Sequence, residues 1–302
     1  MARIDAHVHV FAPASRELPR QVDDILPAGR GETAEKLLAE MEAHDVGQAV
    51  LVQIGGTALE HHAYLRHCVR AYPDRFLGIG LVPAGAPDPA DHMDRLAGEG
   101  GIIGFRLSDL SGPGGPSASG DIRSLPVYPI WRRAAEADYV LWLYPREIDA
   151  ALVPRLLEAF PQVRVVFNHL MVCPGAGRFH WDAKGRPQVD VPMPPPSAAA
   201  LGVPLEGPYP FPNACVHLSG QYAFSGQPWP YPDLAAWHRR LLAAFGPGRL
   251  MWATDFPWIT ADPGYDRLVT VLDRLLPELT AEDRAAIMGG TAQRFLRFPA
   301  RR

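Results

Sequence analysis

Lysine is almost missing from this chain of 302 residues, with only Lys36 and Lys184 present. Neither falls in a segment of strand character, which disfavours Schiff-base chemistry and any site bridged by a carbamylated lysine. Cysteine is scarce too: Cys68, Cys173 and Cys215 are odd in number and far apart, so neither a disulfide framework nor a Cys-x-x-Cys metal site is supported. No apolar run reaches the ~20 residues that span a bilayer, and Met1-Ala2-Arg3 leads straight into strand-like sequence, so a cytoplasmic protein is expected. A net charge of -4 offers nothing to nucleic acid or anionic lipid. No Gly-x-Gly-x-x-Gly follows the first strand, where dinucleotide binding needs it, and no Gly-x-Ser-x-Gly elbow presents a nucleophilic serine.

What remains is an ordinary globular composition, 47% hydrophobic and 21% charged, with 32 prolines concentrated outside the periodic segments. Short apolar runs of strand length occupy 4–11, 48–54, 76–82, 101–107, 139–144, 163–170, 215–220 and 250–255. Helical spacing fills much of the intervening sequence, at 33–43, 57–71, 89–98, 128–138, 148–160 and 232–245. Eight near-continuous apolar strands mostly separated by helices predict an α/β fold: a (β/α)8 TIM barrel, one domain over 1–302, rather than an open sheet. Two connections are long, 111–127 after the fourth strand and 171–214 after the sixth. Both leave the carboxyl ends of strands, where barrel active sites are built, so they read as lids or binding loops.

The first strand organises the rest. In a regular strand Asp5, His7 and His9 project to one side and Ile4, Ala6, Val8 and Val10 to the other. Such a histidine pair can hold a divalent metal, donate to a developing oxyanion, or simply be satisfied in a barrel interior. The other strands end in Arg106, Tyr144, His169, His217 with Ser219, and Asp255. In a barrel these converge on one mouth, the ingredients for hydrolysis or decarboxylation of a small acidic molecule. Asp255 reads as a base for water or as a helix N-cap, and Arg106 as a fork for a substrate carboxylate or a rim ion pair. Tyr144 either donates to substrate or packs, and His217 is either catalytic or part of the core.

The stretches Ile4-Asp5-Ala6-His7-Val8-His9-Val10-Phe11, Gly104-Phe105-Arg106-Leu107, Phe167-Asn168-His169-Leu170, His217-Leu218-Ser219-Gly220, Met251-Trp252-Ala253-Thr254-Asp255-Phe256-Pro257 and Gly289-Gly290-Thr291-Ala292-Gln293-Arg294-Phe295-Leu296 together resemble the amidohydrolase superfamily. They look most like its amidohydrolase-2 branch, which contains pyrone-dicarboxylate and sugar-acid lactonases and metal-dependent aromatic-acid decarboxylases. The resemblance implies a site at the strand carboxyl ends. Decarboxylases of the branch hold one zinc with the His-x-His pair, a histidine ending the fifth strand and the aspartate ending the eighth. Here the fifth strand ends in Leu143-Tyr144-Pro145, similar to the tyrosine-bearing fifth strand of the pyrone-dicarboxylate lactonases, which work without a metal.

The resulting expectation is a lactonase-like hydrolase of a small carboxylated cyclic ester. Asp255 serves as base, His7, His9 and His169 polarise the carbonyl, and Arg106, Tyr144, His217 and Arg178 bind substrate. Trp181, Tyr209, Phe211 and Arg178 of the long loops set specificity, and Asp5 fixes the tautomers of the histidine pair. The alternatives are a zinc-dependent decarboxylase with His7, His9 and Asp255 as ligands, and a non-catalytic binding barrel. Either no cofactor or one divalent metal, zinc, is required; the partner is a small acidic molecule, and homo-oligomers are common in the branch.

Overall fold

A computed structural model describes residues 2–83, 85–98, 100–116 and 120–299. Its strands and principal helices alternate: β1 (Arg3–Val8), α1 (Ala34–Ala43), β2 (Val46–Val52), α2 (Ala63–Ala71), β3 (Phe76–Leu81), α3 (Pro89–Ala97), β4 (Ile102–Leu107), α4 (Tyr128–Ala137), β5 (Val140–Leu143), α5 (Leu152–Ala159) and β6 (Val165–Phe167). A hairpin follows, β7 (Arg178–Trp181) and β8 (Pro187–Asp190), then β9 (Ala214–Leu218), α6 (Gln221–Phe224), α7 (Ala235–Phe245) and β10 (Leu250–Trp252). Short helices between Tyr265 and Phe295 complete the chain. Eight strands pair in parallel in the order β1-β2-β3-β4-β5-β6-β9-β10, the expected (β/α)8 barrel. Among the described residues no helix is long and apolar enough to cross a membrane.

The helices form because their apolar residues recur on one face. Helix α5, for example, buries Leu152, Val153, Leu156 and Leu157 toward the strands. Inside the barrel a separate cluster contains Ile4, Ala6, Val50, Val52, Ile79, Val140, Trp142, Val166, Cys215, Met251 and Ala253. Ala292, Leu296 and Phe298 join it from the C-terminal segment. Gly289 makes that docking possible, because a Cβ there would stand 2.4 Å from the Ala2 carbonyl oxygen. Polar strand ends therefore gather at the other, carboxyl end.

Closure of the barrel occurs between β1 and the chain after β10. Asp255 N–H donates to the His7 carbonyl at 3.0 Å, and His9 N–H to the Phe256 carbonyl at 2.7 Å. Asp5 reinforces this seam from a fully buried position, accepting from Thr254 N–H at 2.9 Å, the Thr254 hydroxyl at 2.6 Å and the Tyr265 hydroxyl at 2.9 Å.

Here the regular alternation expected of the first strand fails. The register of β1 against β2 shifts between Asp5 and Val8, a bulge-like irregularity. Ile4 and Ala6 lie in the inner cluster and Val8 in the outer one, while His7 meets Trp142 of the inner cluster. Asp5 thus faces away from the histidine pair and clasps the seam; it does not set their tautomers. Asp5→Ala would leave three buried donors without an acceptor, at about 1–3 kcal/mol each. Urea unfolding is expected to show a loss of at least about 3 kcal/mol, and a loss below about 1 kcal/mol would contradict the clasp.

Candidate active site

At the mouth His7 Nε2 and His9 Nε2 stand 3.3 Å apart, and Asp255 Oδ1 lies 3.5 Å from His9 and 3.8 Å from His7. All three residues are buried. Asp255 is held by its backbone at the seam and by its other oxygen, which accepts from the Tyr222 hydroxyl at 2.7 Å. Oδ1 has no hydrogen-bond partner, and no cap bond to a helix forms, so the N-cap alternative does not hold. Asp255 has φ 63°, and His169, Leu170 and Met171 after β6 have φ 42°, 57° and 60°. Left-handed conformations at such residues cost roughly 1–3 kcal/mol each and persist where surroundings over-determine them.

His169 Nδ1 shares a 2.9 Å hydrogen bond with Ser219 Oγ, and its ring lies 4.7 Å from that of His7 and 5.2 Å from that of Tyr144. Arg106 places its guanidinium 4.9 Å from the Tyr144 ring centre. Its Nε is buried without a hydrogen-bond partner, and among the described residues no carboxylate pairs with it. His217 sits one layer deeper, its ring 5.3 Å from His7 and 5.2 Å from Trp142, with neither nitrogen partnered.

Burial lowers His7, His169 and His217, aided by neighbouring positive groups; His169 falls to about 4. Burial alone would raise Asp255, but the neighbouring His169 and His9 rings and the Tyr222 hydroxyl outweigh it, leaving a net lowering. Burial raises Tyr144 to about 12 and lowers Arg106. At neutral pH His7, His169 and His217 are thus neutral beside the Asp255 carboxylate and the Arg106 guanidinium.

The spacing of His7, His9 and Asp255 suits a divalent metal, since donors bound tetrahedrally to zinc stand roughly 3.4 Å apart. Their protons do not suit it. Trp142 Nε1 donates to His7 Nδ1 at 3.2 Å, and an indole N–H can only donate, so neutral His7 carries its own proton on Nε2. His9 Nδ1 lies 2.8 Å from the Val52 carbonyl, which can only accept, so His9 is protonated at Nδ1 and keeps its lone pair on Nε2. The 3.3 Å contact is therefore His7 Nε2–H donating to His9 Nε2. A metal needs both lone pairs and finds one, so as hydrogen-bonded these residues do not fit it.

A cavity of about 250 Å³ opens above, lined by His9, Arg106, Tyr144, His169, Tyr222 and Asp255, with Phe179, Trp181 and Trp258 among its apolar walls. The hairpin supplies Phe179 and Trp181. Strand alternation turns Arg178 the other way: it is 79% exposed and bonds Asp190 at 2.7 Å, so the expected substrate contact is not made. Tyr209 and Phe211 also lie elsewhere, Tyr209 being buried against Phe245 with its hydroxyl on the Leu201 carbonyl, and Phe211 packing on Tyr209. Of the 111–127 loop, Ser117, Ala118 and Ser119 lie outside the described residues; its start is tied by Arg146 to Ser111 and Gly112. Sequence reasoning missed Tyr222, which follows a glycine turn after β9, and Trp142, which reads as core. Its one available signal was its place two residues before Tyr144, on the same face of β5.

Comparison with known proteins adds the family context. The family model described as Amidohydrolase matches residues 4–298. D-galactarolactone isomerase of Agrobacterium fabrum (strain C58) is 24% identical over 289 residues, 94% of this chain and 88% of that protein. A probable 2-pyrone-4,6-dicarboxylic acid hydrolase of Acinetobacter baumannii, solved with citric acid bound, aligns with a TM-score of 0.73 at 18% identity, covering 99% of this chain and 100% of that one. An amidohydrolase of Burkholderia multivorans, solved with bound zinc, aligns with a TM-score of 0.70 at 22% identity, covering 99% and 100%. At these identities the solved structures show the shared fold.

Buried neutral histidines make stability fall in acid. His62, His169 and His238 drop from 6.5 to about 4, and His7 and His217 lie well below 6.5. As pH falls below their ordinary value the unfolded chain takes up protons that the folded chain refuses, so stability declines. Asp5, raised by burial from 3.8 to about 7, acts oppositely, but it is one group against five. The urea midpoint is expected to fall steadily from about pH 7 to about pH 5; a midpoint that rises would contradict these burial effects.

Proposed function

The chain belongs to the amidohydrolase family, and on that premise we propose that it is a hydrolase that opens a small carboxylated cyclic ester with water. One observation carries the reading: a buried carboxylate with a free oxygen, Asp255 Oδ1, shares a small cavity with imidazoles and with the unpaired guanidinium of Arg106. Arg106 receives a substrate carboxylate and sets the ring across the mouth, with the Tyr144 ring against the guanidinium holding it in place. Water lies at Asp255 Oδ1 and attacks the ester carbonyl as its proton passes to that oxygen.

His169 donates to the developing oxyanion when the Ser219 hydroxyl donates to its Nδ1 and leaves the proton on Nε2, while His7, which does not line the cavity, keeps its Nε2–H on His9 and supports the oxyanion only from behind. His9 departs from the expected role. Its Nδ1–H goes to the Val52 carbonyl and its Nε2 accepts from His7, so it does not donate to the carbonyl. Collapse of the tetrahedral intermediate breaks the ring C–O bond, and the proton held at Asp255 moves to the leaving alkoxide. The similar isomerase and hydrolase, both named for carboxylated lactones, support the substrate class. The zinc-dependent decarboxylase alternative draws on the spacing of His7, His9 and Asp255, and Tyr144 stands where its fifth-strand ligand would be.

A panel of carboxylated five- and six-membered lactones, followed by acid release, tests the reading. Asp255→Asn should lower kcat/KM by roughly 10³ or more, beyond the 10²–10³ typical of one oxyanion donor. Arg106→Gln should raise KM by about 10–100-fold, the worth of a charge-assisted carboxylate contact. Undiminished hydrolysis by Asp255→Asn, or release of carbon dioxide in place of acid, would overturn it.

A further inference from the structure

We infer that Trp142 is a positioning residue that fixes the proton of His7 on Nε2 and thereby keeps the histidine pair from closing on a divalent cation. The two rings are otherwise arranged for capture: Nε2 of each and Oδ1 of Asp255 lie 3.3–3.8 Å from one another. Metal-bound histidine ordinarily donates its second ring N–H to a carboxylate or carbonyl, as His9 does to Val52. His7 meets the opposite partner. A cation on its Nε2 would move the proton to Nδ1, where it would point at the indole N–H 3.2 Å away.

No relief is at hand within the packing. Trp142 has no exposed surface, sits on β5 between β4 and β6, and is enclosed by the inner barrel cluster. The His217 ring leans on the indole at 5.2 Å, and no hydrogen-bond partner reaches either of its nitrogens. The same residue thus splits two chemically alike neighbours into a donor, His7, and an acceptor, His9. That division is independent of any substrate.

Two measurements on the metal-free protein test it. Long-range nitrogen–proton spectra of protein labelled with heavy nitrogen in histidine, with His7 identified by the signal lost in His7→Gln, should show an unprotonated Nδ1 and protonated Nε2 at His7, and the reverse at His9. Zinc titration against a chromogenic chelator should show Trp142→Phe binding about 10–100-fold more tightly than the unmodified chain, the usual reach of a residue acting through a metal ligand. Adding His7→Gln to Trp142→Phe should abolish that gain. An Nδ1-protonated His7 in the unmodified protein, or a folded Trp142→Phe with no gain in zinc affinity, would overturn the inference. Should Trp142→Phe not fold, the spectrum of the unmodified protein decides. Neither readout uses a substrate, so a failure here is separable from a failure of the hydrolase reading.

Discussion

Two backbone hydrogen bonds across the barrel seam, Asp255 N–H to His7 and Phe256 C=O from His9, are the constraint on which the mouth depends. They join residues nearly 250 positions apart and place the histidine pair beside the carboxylate to within a few ångströms. Asp5 clasps the same seam from behind through Thr254 and Tyr265. Barrel closure and site assembly are therefore one event: a chain that failed to close would also fail to bring His9 to Asp255. The positive φ of Asp255 belongs to the same geometry, because its backbone must bond to β1 while its side chain turns inward to Tyr222.

Protons, more than positions, decide what the assembled groups can do. Burial strips His7, His169 and His217 of their charge, so that each side chain's role follows from what its second nitrogen touches. An indole makes His7 a donor, a carbonyl makes His9 an acceptor, and a hydroxyl leaves His169 adjustable. Beside these rings Asp255 and Arg106 stand out as the charged pair lining the cavity. With the inferred proton on His7 Nε2, the metal-sized gap offers a cation one imidazole lone pair instead of two.

Much of this was legible in the sequence, for definite reasons. Parallel strands buried on both faces announce themselves as short apolar runs, and polar residues ending such runs can only gather at one mouth. His7, His9, Arg106, Tyr144, His169 and Asp255 were found that way. Period-two reasoning assumes a regular strand, however, and the irregularity between Asp5 and Val8 moved Asp5 to the outside of the barrel. The same reasoning was not available inside 171–214, where a hairpin turns Phe179 and Trp181 to the cavity and Arg178 to solvent. Trp142 was hidden because a tryptophan in an apolar strand looks like filling; only its indole nitrogen, aimed at one ring atom, distinguishes it.

As proposed, Asp255 activates water at a mouth whose proton arrangement needs no metal. The most direct measurement is the rate at which exhaustively chelated protein opens a carboxylated lactone in water enriched in heavy oxygen. The arrangement of Asp255, His7, His9 and Arg106 predicts an undiminished kcat/KM and one heavy oxygen in the newly formed carboxylate. Activity that disappears on chelation and returns with zinc would contradict it.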